Sequence, residues 1–421
     1  MLDDLSSAPY GRSWRMRVKG QAMAAEARAR SNPSLKKEAK EYLDSVRSCE
    51  TVGSIAGVLT IASSLQGTTA SVDQLDADAY LLNMPNGTLY LRIQELRPHD
   101  PAILITKITR GIYDPAQPAQ SDLWNGFLGT VLPEEEVQCF FRKIIGLALI
   151  GAVVEDIFSI ATGTGANGKG VAYGAVMNAL GDYAAVAEDG FFEVQRGGNA
   201  QGATPGLAKL RGVRFLVVSE LEERARIAAA FMKRMTGGDR ITARELYGSP
   251  FEFPPAFLIL MITNFLPKLP ANDPATWARV RVIPFGVVIP KDQQDPHLGS
   301  KLDSVADTVL AWAIKGLVDY QTNGLGEPKS VTTATKEYAE SQDAVRRFVD
   351  ARCTDVPTNG GDTTTERLEA YGSWASDEGI HQAHVLGRTK LGDALDKLGY
   401  PVTRSSRGAA RPGVAVDHST T

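Results

Sequence analysis

Ile157-Phe158-Ser159-Ile160-Ala161-Thr162-Gly163-Thr164-Gly165-Ala166-Asn167-Gly168-Lys169-Gly170 decides the reading of this chain. Apolar residues lead into a glycine-rich loop that ends in Gly168-Lys169, and Val171 to Leu180 then reads as a helix. That strand–loop–helix context is what a phosphate-binding loop requires. Glycines let successive backbone N–H groups turn inward around phosphate oxygens. The following helix aims its positive end at the same anion, and Lys169 reaches the terminal phosphates as a point charge. Gly163, Thr164, Gly165, Ala166, Asn167, Gly168, Lys169 and Gly170 are therefore the candidate nucleotide-binding residues. One position departs from the pattern: the usual loop continues with Ser or Thr, whose hydroxyl binds Mg²⁺, and here Gly170 has no side chain.

Two further apolar runs fit the same kind of core. Phe215 to Val218 is short enough for a buried parallel strand and runs into acidic residues at Glu220. A carboxylate at a strand end beside a phosphate loop holds Mg²⁺ and polarises the attacking water, so Glu220 is the candidate for both roles. Phe257 to Asn264 reads as another strand, with Asn264 at its tip. Asn264 is either a turn residue or a side chain that hydrogen-bonds the γ-phosphate. Between Asp273 and Phe285 two arginines, Arg279 and Arg281, sit in an apolar frame. A guanidinium presented to a neighbour's nucleotide stabilises transition-state charge; a surface strand with alternating arginines is the plainer alternative.

Composition bounds the rest. The chain has 421 residues, 43% hydrophobic and 22% charged, with a net charge of −4. Any nucleic-acid surface is then a local patch rather than a whole-protein field. Cys49, Cys139 and Cys353 are far apart and form no CxxC, as expected of buried or neutral thiols in a reducing cytosol. The start has no apolar run after its basic residues, and Ile144 to Val154 is too short to span a bilayer. A cytoplasmic protein is expected. His and Cys are too scattered for a zinc site.

Residues 1–135 read as a mostly helical accessory domain. Helices are expected over 16–30, over 35–49 with Ser34 as N-cap, and over 52–65 opened by Thr51. The basic residues among them read as a solvated face in preference to a DNA contact. Asn86-Gly87 between two apolar runs signals a hairpin near 80–91. Leu123–Val131 and Val137–Ile150 read as helices leading to the loop, and residues 136–300 as the core. Residues 301–345 read as a helical linker and 346–421 as a further module, with a helix expected over 337–353.

Taken together, these stretches resemble superfamily 3 helicases, specifically the helicase half of phage and plasmid primase–helicases. The loop at Gly163–Lys169, the strand ending at Glu220, the segment Lys233-Arg234-Met235-Thr236-Gly237-Gly238-Asp239-Arg240-Ile241-Thr242-Ala243-Arg244, the tip at Asn264 and the arginine segment Trp277–Phe285 occur in that family's order. The resemblance implies an AAA+-like ATPase core, a parallel sheet flanked by helices. It implies ATP and Mg²⁺ bound between subunits of a ring, expected as a hexamer, with Lys169, Glu220, Asn264 and Arg279 as the catalytic set. It also implies translocation on single-stranded or forked DNA, with Lys233, Arg240 and Arg244 gripping the strand, and a separate primase as a partner. At the C-terminal end, a helix–helix–hairpin order with Arg404, Arg407 and Arg411 in a glycine-rich turn suggests a winged-helix-like module contacting phosphates. Ala278 stands where the family often has a second arginine, leaving Arg279 alone in the finger position. The absent hydroxyl at Gly170 keeps one other reading open, an ATP-binding assembly or loading factor with little hydrolysis; a replication-initiator module acting mainly through its C-terminal domain, with a degenerate ATPase core, is a further alternative that the intact Lys169, Glu220, Asn264 and Arg279 argue against.

Overall fold

A computed structural model describes residues 19–28, 30–65, 69–194, 204–219, 225–355, 362–378, 385–405, 408–411 and 414–416. The chain divides into two compact units, Met1–Leu75 and Asp76–Thr421.

The first unit is helical: α1 (19–28), α2 (Pro33–Cys49) and α3 (Val52–Ala62). Asn32, not Ser34, caps α2: its side chain accepts from the backbone N–H groups of Ser34 and Leu35, and Pro33 takes the first helical position, where its missing N–H costs nothing. Thr51 caps α3 through the N–H of Ser54.

The second unit opens with an antiparallel sheet, β1 (Leu81–Met84), β2 (Gly87–Tyr90) and β3 (Glu95–Arg97). Met84 pairs with Gly87, so the two-residue turn is Pro85-Asn86 and Gly87 already belongs to the strand. Helices α4 (Asp122–Val131) and α5 (Glu135–Leu147) follow. The core then runs β4 (Phe158–Thr162), α6 (Lys169–Leu180), β5 (Ala184–Val186), α7 (Pro205–Ala208), β6 (Phe215–Ser219), α8 (Ala229–Thr236), a hairpin of β7 (Ile241–Ala243) and β8 (Phe251–Phe253), β9 (Leu258–Thr263), α9 (Pro274–Trp277) and β10 (Val280–Pro284). Five strands form one sheet in the order β10-β4-β9-β6-β5, and every pairing is parallel.

Side chains alternate across this sheet as the strand period of two demands. Phe215, Val217, Leu260, Ile262 and Ile283 pack on one face, while Leu216, Val218, Ile259, Met261 and Val282 pack on the other. Both faces are covered, which is why these strands read as unbroken apolar runs. The accessory boundary near 135 is not where the packing divides: Leu82, Met84, Leu89 and Leu91 share one core with Ile144, Leu180 and Leu310. Arg214, 4% exposed, helps join them by donating to the carbonyls of Leu149 and Leu81, with its guanidinium 4.5 Å from the Tyr183 ring centre.

Beyond the sheet come α10 (Leu298–Asp303), α11 (Ala306–Asn323), α12 (Lys329–Gln342) and α13 (Ala344–Arg352). The single helix expected over 337–353 is two, broken at Asp343, whose side chain caps α13. Helix α12 covers the sheet edge, and the Thr335 hydroxyl accepts the Val282 N–H at 3.0 Å, removing a free edge donor. The chain ends in β11 (Cys353–Asp355), α14 (Thr364–Asp377), α15 (Arg388–Lys397), a hairpin of β12 (Thr403–Ser405) and β13 (Gly408–Ala410), and β14 (Val414–Val416), which pairs with β11. Phe348, Tyr371, Trp374 and Leu391 build a separate small core there.

Helices α5 and α11 meet backbone to backbone. A Cβ at Gly146 would lie 2.3 Å from the Leu317 nitrogen, and one at Gly316 would lie 2.1 Å from the Arg142 carbonyl oxygen. Gly146→Ala should therefore lower stability by about 1–3 kcal/mol through overpacking. Gly126→Ala, on α4 with nothing within 4 Å, should raise it by up to about 1 kcal/mol. Thermal unfolding midpoints that move in opposite directions would bear this out; a common direction would not.

Candidate functional site

The loop after β4 is shaped by contacts that only some of its residues can make. Gly163 passes so close to β10's exit that a Cβ would sit 2.2 Å from the Phe285 carbonyl oxygen. Asn167, 3% exposed, staples the loop: its Nδ2 donates to the carbonyls of Thr164 at 2.5 Å and Phe285 at 3.3 Å, and its Oδ1 accepts from the Lys169 N–H. Ala166 takes a left-handed φ of 60°, and its carbonyl accepts from Ile289 N. Gly168 begins α6 at φ 77°, where a Cβ would meet Val131 Cγ1 at 2.4 Å. Gly170 differs: the nearest heavy atom to a Cβ there is Tyr173 Cε1 at 3.9 Å, so nothing steric demands glycine.

Lys169 is 5% exposed, and burial lowers its pKa. Its ammonium donates to the Gly163 carbonyl at 2.6 Å and to Asn264 Oδ1 at 3.2 Å. Two residues 95 positions apart are thus brought together by the neighbouring parallel strands β4 and β9. They border an open cleft of about 340 Å³ that Gly170, Tyr173, Asp189, Ser219 and the loop also line. Every contribution comes from the carboxyl end of a strand or from the start of α6, where parallel α/β sheets bind ligands. Ser219 brings β6 to the cleft; Glu220, the next residue, lies outside the described residues. Asp189 and Tyr173 were not singled out from sequence. Asp189 follows a three-residue strand too short to flag, and Tyr173 reads as an ordinary helix residue.

Arg279 lies elsewhere. It precedes β10, at the amino end of the sheet, with its Nη2 2.6 Å from Asp156 Oδ2 and its Nη1 donating to the Ala275 carbonyl. The paired run Val280–Pro284 against Phe158–Thr162 separates it from the loop by about 17 Å, farther than its side chain extends. Arg281 pairs with Glu327 at 2.6 Å.

The basic candidates have separate surroundings. Lys233, on α8, is paired with Asp273 at 2.7 Å, and that bond is the main reason the Asp273 carboxyl sits below its usual pKa. Arg240 faces Glu252 at 3.5 Å and donates to the Glu252 carbonyl. Arg244 is exposed where β7 leads into the hairpin tip, followed by Leu246, 64% exposed, and Tyr247, fully exposed. In the C-terminal module Arg411 is no surface wing arginine. It is 4% exposed and donates to Asp396 and the Tyr400 carbonyl, because α15 packs against the turn that carries it. Arg404 lies on β12, and Arg407 lies outside the described residues.

Asn167→Ala would strip partners from the Thr164 and Phe285 carbonyls. It should cost about 1–3 kcal/mol and speed amide hydrogen exchange across 163–170. Unchanged exchange in that loop would refute the stapling role.

Comparison with known proteins finds the following similarities. The family described as D5 N terminal like matches residues 8–133. A protein of Acanthamoeba polyphaga mimivirus provisionally named helicase L207/L206 is 30% identical over 295 residues, covering 65% of this chain and 30% of that protein. One from Frog virus 3, provisionally named helicase 022R, is 30% identical over 274 residues, covering 61% and 28%. One from African swine fever virus, provisionally named primase C962R, is 22% identical over 347 residues, covering 76% and 35%. The chain spans about a third of the length of these relatives. Among solved structures, the apo C-terminal region of NrS-1 aligns at 11% identity and a TM-score of 0.43, covering 78% of this chain and 92% of that one. In sequence the chain resembles superfamily 3 helicases of the primase–helicase type.

Proposed function

We propose that this chain is the ATP-driven helicase portion of a viral or mobile-element replication protein, hydrolysing ATP between ring subunits and moving on single-stranded DNA. The observation that carries the reading is the buried Lys169 ammonium, held by Gly163 and Asn264 at the mouth of a glycine loop that opens α6. Among the described residues no carboxylate pairs with it. An incoming phosphate offers it a stronger, charge-assisted partner.

In this reading the loop amides and Lys169 bind the phosphates, and Asn264 reports on the terminal one. Glu220 orients and deprotonates the attacking water. Mg²⁺, when bound, neutralises charge developing on the phosphate oxygens. Arg279 cannot serve its own chain's cleft, since it sits at the opposite end of the sheet. Head-to-tail subunits would present it to a neighbour, and such interfaces close into rings; the resemblance leads us to expect six members. The free ring edge would exchange Asp156 for the neighbour's phosphates as the partner of Arg279. Arg244 and the exposed hairpin tip are the best placed of the basic candidates to meet DNA. Lys233 and Arg240 would have to leave Asp273 and Glu252 first. The C-terminal module is proposed as winged-helix-like, with Arg404 and Arg407 as its phosphate contacts.

A second reading, an ATP-binding assembly factor with little turnover, is favoured by one residue, Gly170, where the family's metal-binding hydroxyl is missing. Turnover across a magnesium titration, with and without single-stranded DNA, separates the two. DNA-stimulated hydrolysis that disappears in Glu220→Gln supports the motor; nucleotide binding without turnover at any magnesium level supports the assembly factor.

Arg279→Ala should lower turnover by about a thousandfold or more while ATP still binds. Mixing it with Lys169→Ala chains should restore part of the activity, because each interface needs a loop from one chain and an arginine from the next. No recovery at any mixing ratio would refute action in trans.

A further inference from the structure

Gly170, which has no side chain, and the carboxylate of Asp189 line the same cleft. We propose that Asp189 holds the nucleotide's divalent cation in place of the hydroxyl that Gly170 lacks. The inference rests on the nucleotide-binding reading and adds the residue that makes binding depend on metal.

Three observations converge. First, position 170 is open. It follows Lys169 at the start of α6, and a Cβ there would find nothing nearer than Tyr173 Cε1 at 3.9 Å. The position from which a Ser or Thr side chain would extend in a standard loop is not filled by packing. Second, Asp189 lines the same cleft as Gly170, Lys169 and Asn264. It arrives from the carboxyl end of β5, which lies beside β6 and runs parallel to it. Third, Asp189 has no side-chain partner among the described residues. It is exposed, and among the described residues it makes no side-chain hydrogen bond or ion pair. The adjacent Glu188 is committed: it lies 3.5 Å from Lys209 and folds over Gly206, where a Cβ would meet it at 2.6 Å.

The chemistry fits the residues present. Mg²⁺ keeps several of its waters and takes one or two carboxylates together with substrate phosphates, so it needs no all-protein cage. A bare carboxylate at the rim also repels a triphosphate that arrives without its metal. Asp189 thus acts in two directions, against the free nucleotide and for the metal-bound one.

That double sign gives the test. Binding of a fluorescent ATP analogue is measured on the full chain without metal and across a MgCl₂ titration, with Mn²⁺ paramagnetic resonance reporting the cation itself. Wild type, Asp189→Asn, Asp189→Asn with Gly170→Ser, and Lys169→Ala are compared. Asp189→Asn should bind the metal-free analogue at least as tightly as wild type. Its magnesium midpoint should rise about tenfold or more, and its Mn²⁺ signal should revert toward that of the aqueous ion–nucleotide complex. Gly170→Ser should bring the midpoint back down by restoring a hydroxyl. An unchanged midpoint in Asp189→Asn, or equal weakening with and without metal, overturns the assignment while leaving nucleotide binding intact. Wild type that binds no analogue, or Lys169→Ala that binds it equally well, overturns the nucleotide-binding reading and this one with it.

Discussion

Five strands running the same way are the constraint on which the rest of this molecule depends. In a parallel sheet every carboxyl end lies on one edge, so the loop after β4, the tip of β9, the end of β6 and the turn after β5 must converge whatever lies between them in sequence. Lys169 and Asn264 touch because their strands are neighbours in register, with Thr162 opposite Thr263. The same rule sends the residues before the strands to the other edge, and Arg279 and Asp156 meet there for that reason. This chain therefore carries Lys169 and Asn264 at one edge of the sheet and Arg279 at the other. In the proposed function, that separation is why the arginine is assigned to a neighbouring copy's nucleotide.

Covering such a sheet on both faces has consequences far from the cleft. One face is closed by helices that approach as near as glycine permits, at Gly146 and Gly316. The same core takes in β1 and β2, so the segment from residue 76 onward folds as part of the sheet's packing. The loop obeys the same economy of space. Gly163 and Gly168 are held against Phe285 and Val131 respectively, whereas Gly170 faces open volume. Two glycines are thus explained by packing, and the third is not.

How much of this was legible follows from where each signal resides. The buried strands announced themselves because both faces are apolar, which leaves Phe215–Val218 and Leu258–Ile262 as uninterrupted runs. The loop was legible because its glycines and lysine are consecutive. Strand β5 and the β7–β8 hairpin were not, since three-residue strands carry too little periodicity to separate from coil. The break at Asp343 was hidden because an aspartate inside a helical pattern reads as a surface residue until the chain is seen to turn there. Arg411 misled for a tertiary reason: a glycine-rich turn reads as exposed, and only the packing of α15 brings Asp396 to it. The carboxylate at Asp189 needed the sheet order itself, because nothing local distinguishes it from Glu188.

The buried cations show what separates a structural charge from a poised one. Burying a cation is costly unless its donors are met. Arg214 meets the cost through the carbonyls of Leu149 and Leu81 and the face of Tyr183, all inside the core. Arg411 meets it with Asp396 and a backbone carbonyl. Lys169 has three donors and, among the described residues, two neutral acceptors, Gly163 and Asn264, and it opens onto a cleft instead of a core. Its burial depresses its pKa, and among the described residues no carboxylate opposes the shift. An ammonium held in that state has most to gain from an anion of fixed charge that enters without displacing any structural pair. In the proposed function that anion is a nucleotide phosphate, and the incompletely satisfied charge becomes part of the free energy of binding rather than a defect of the fold.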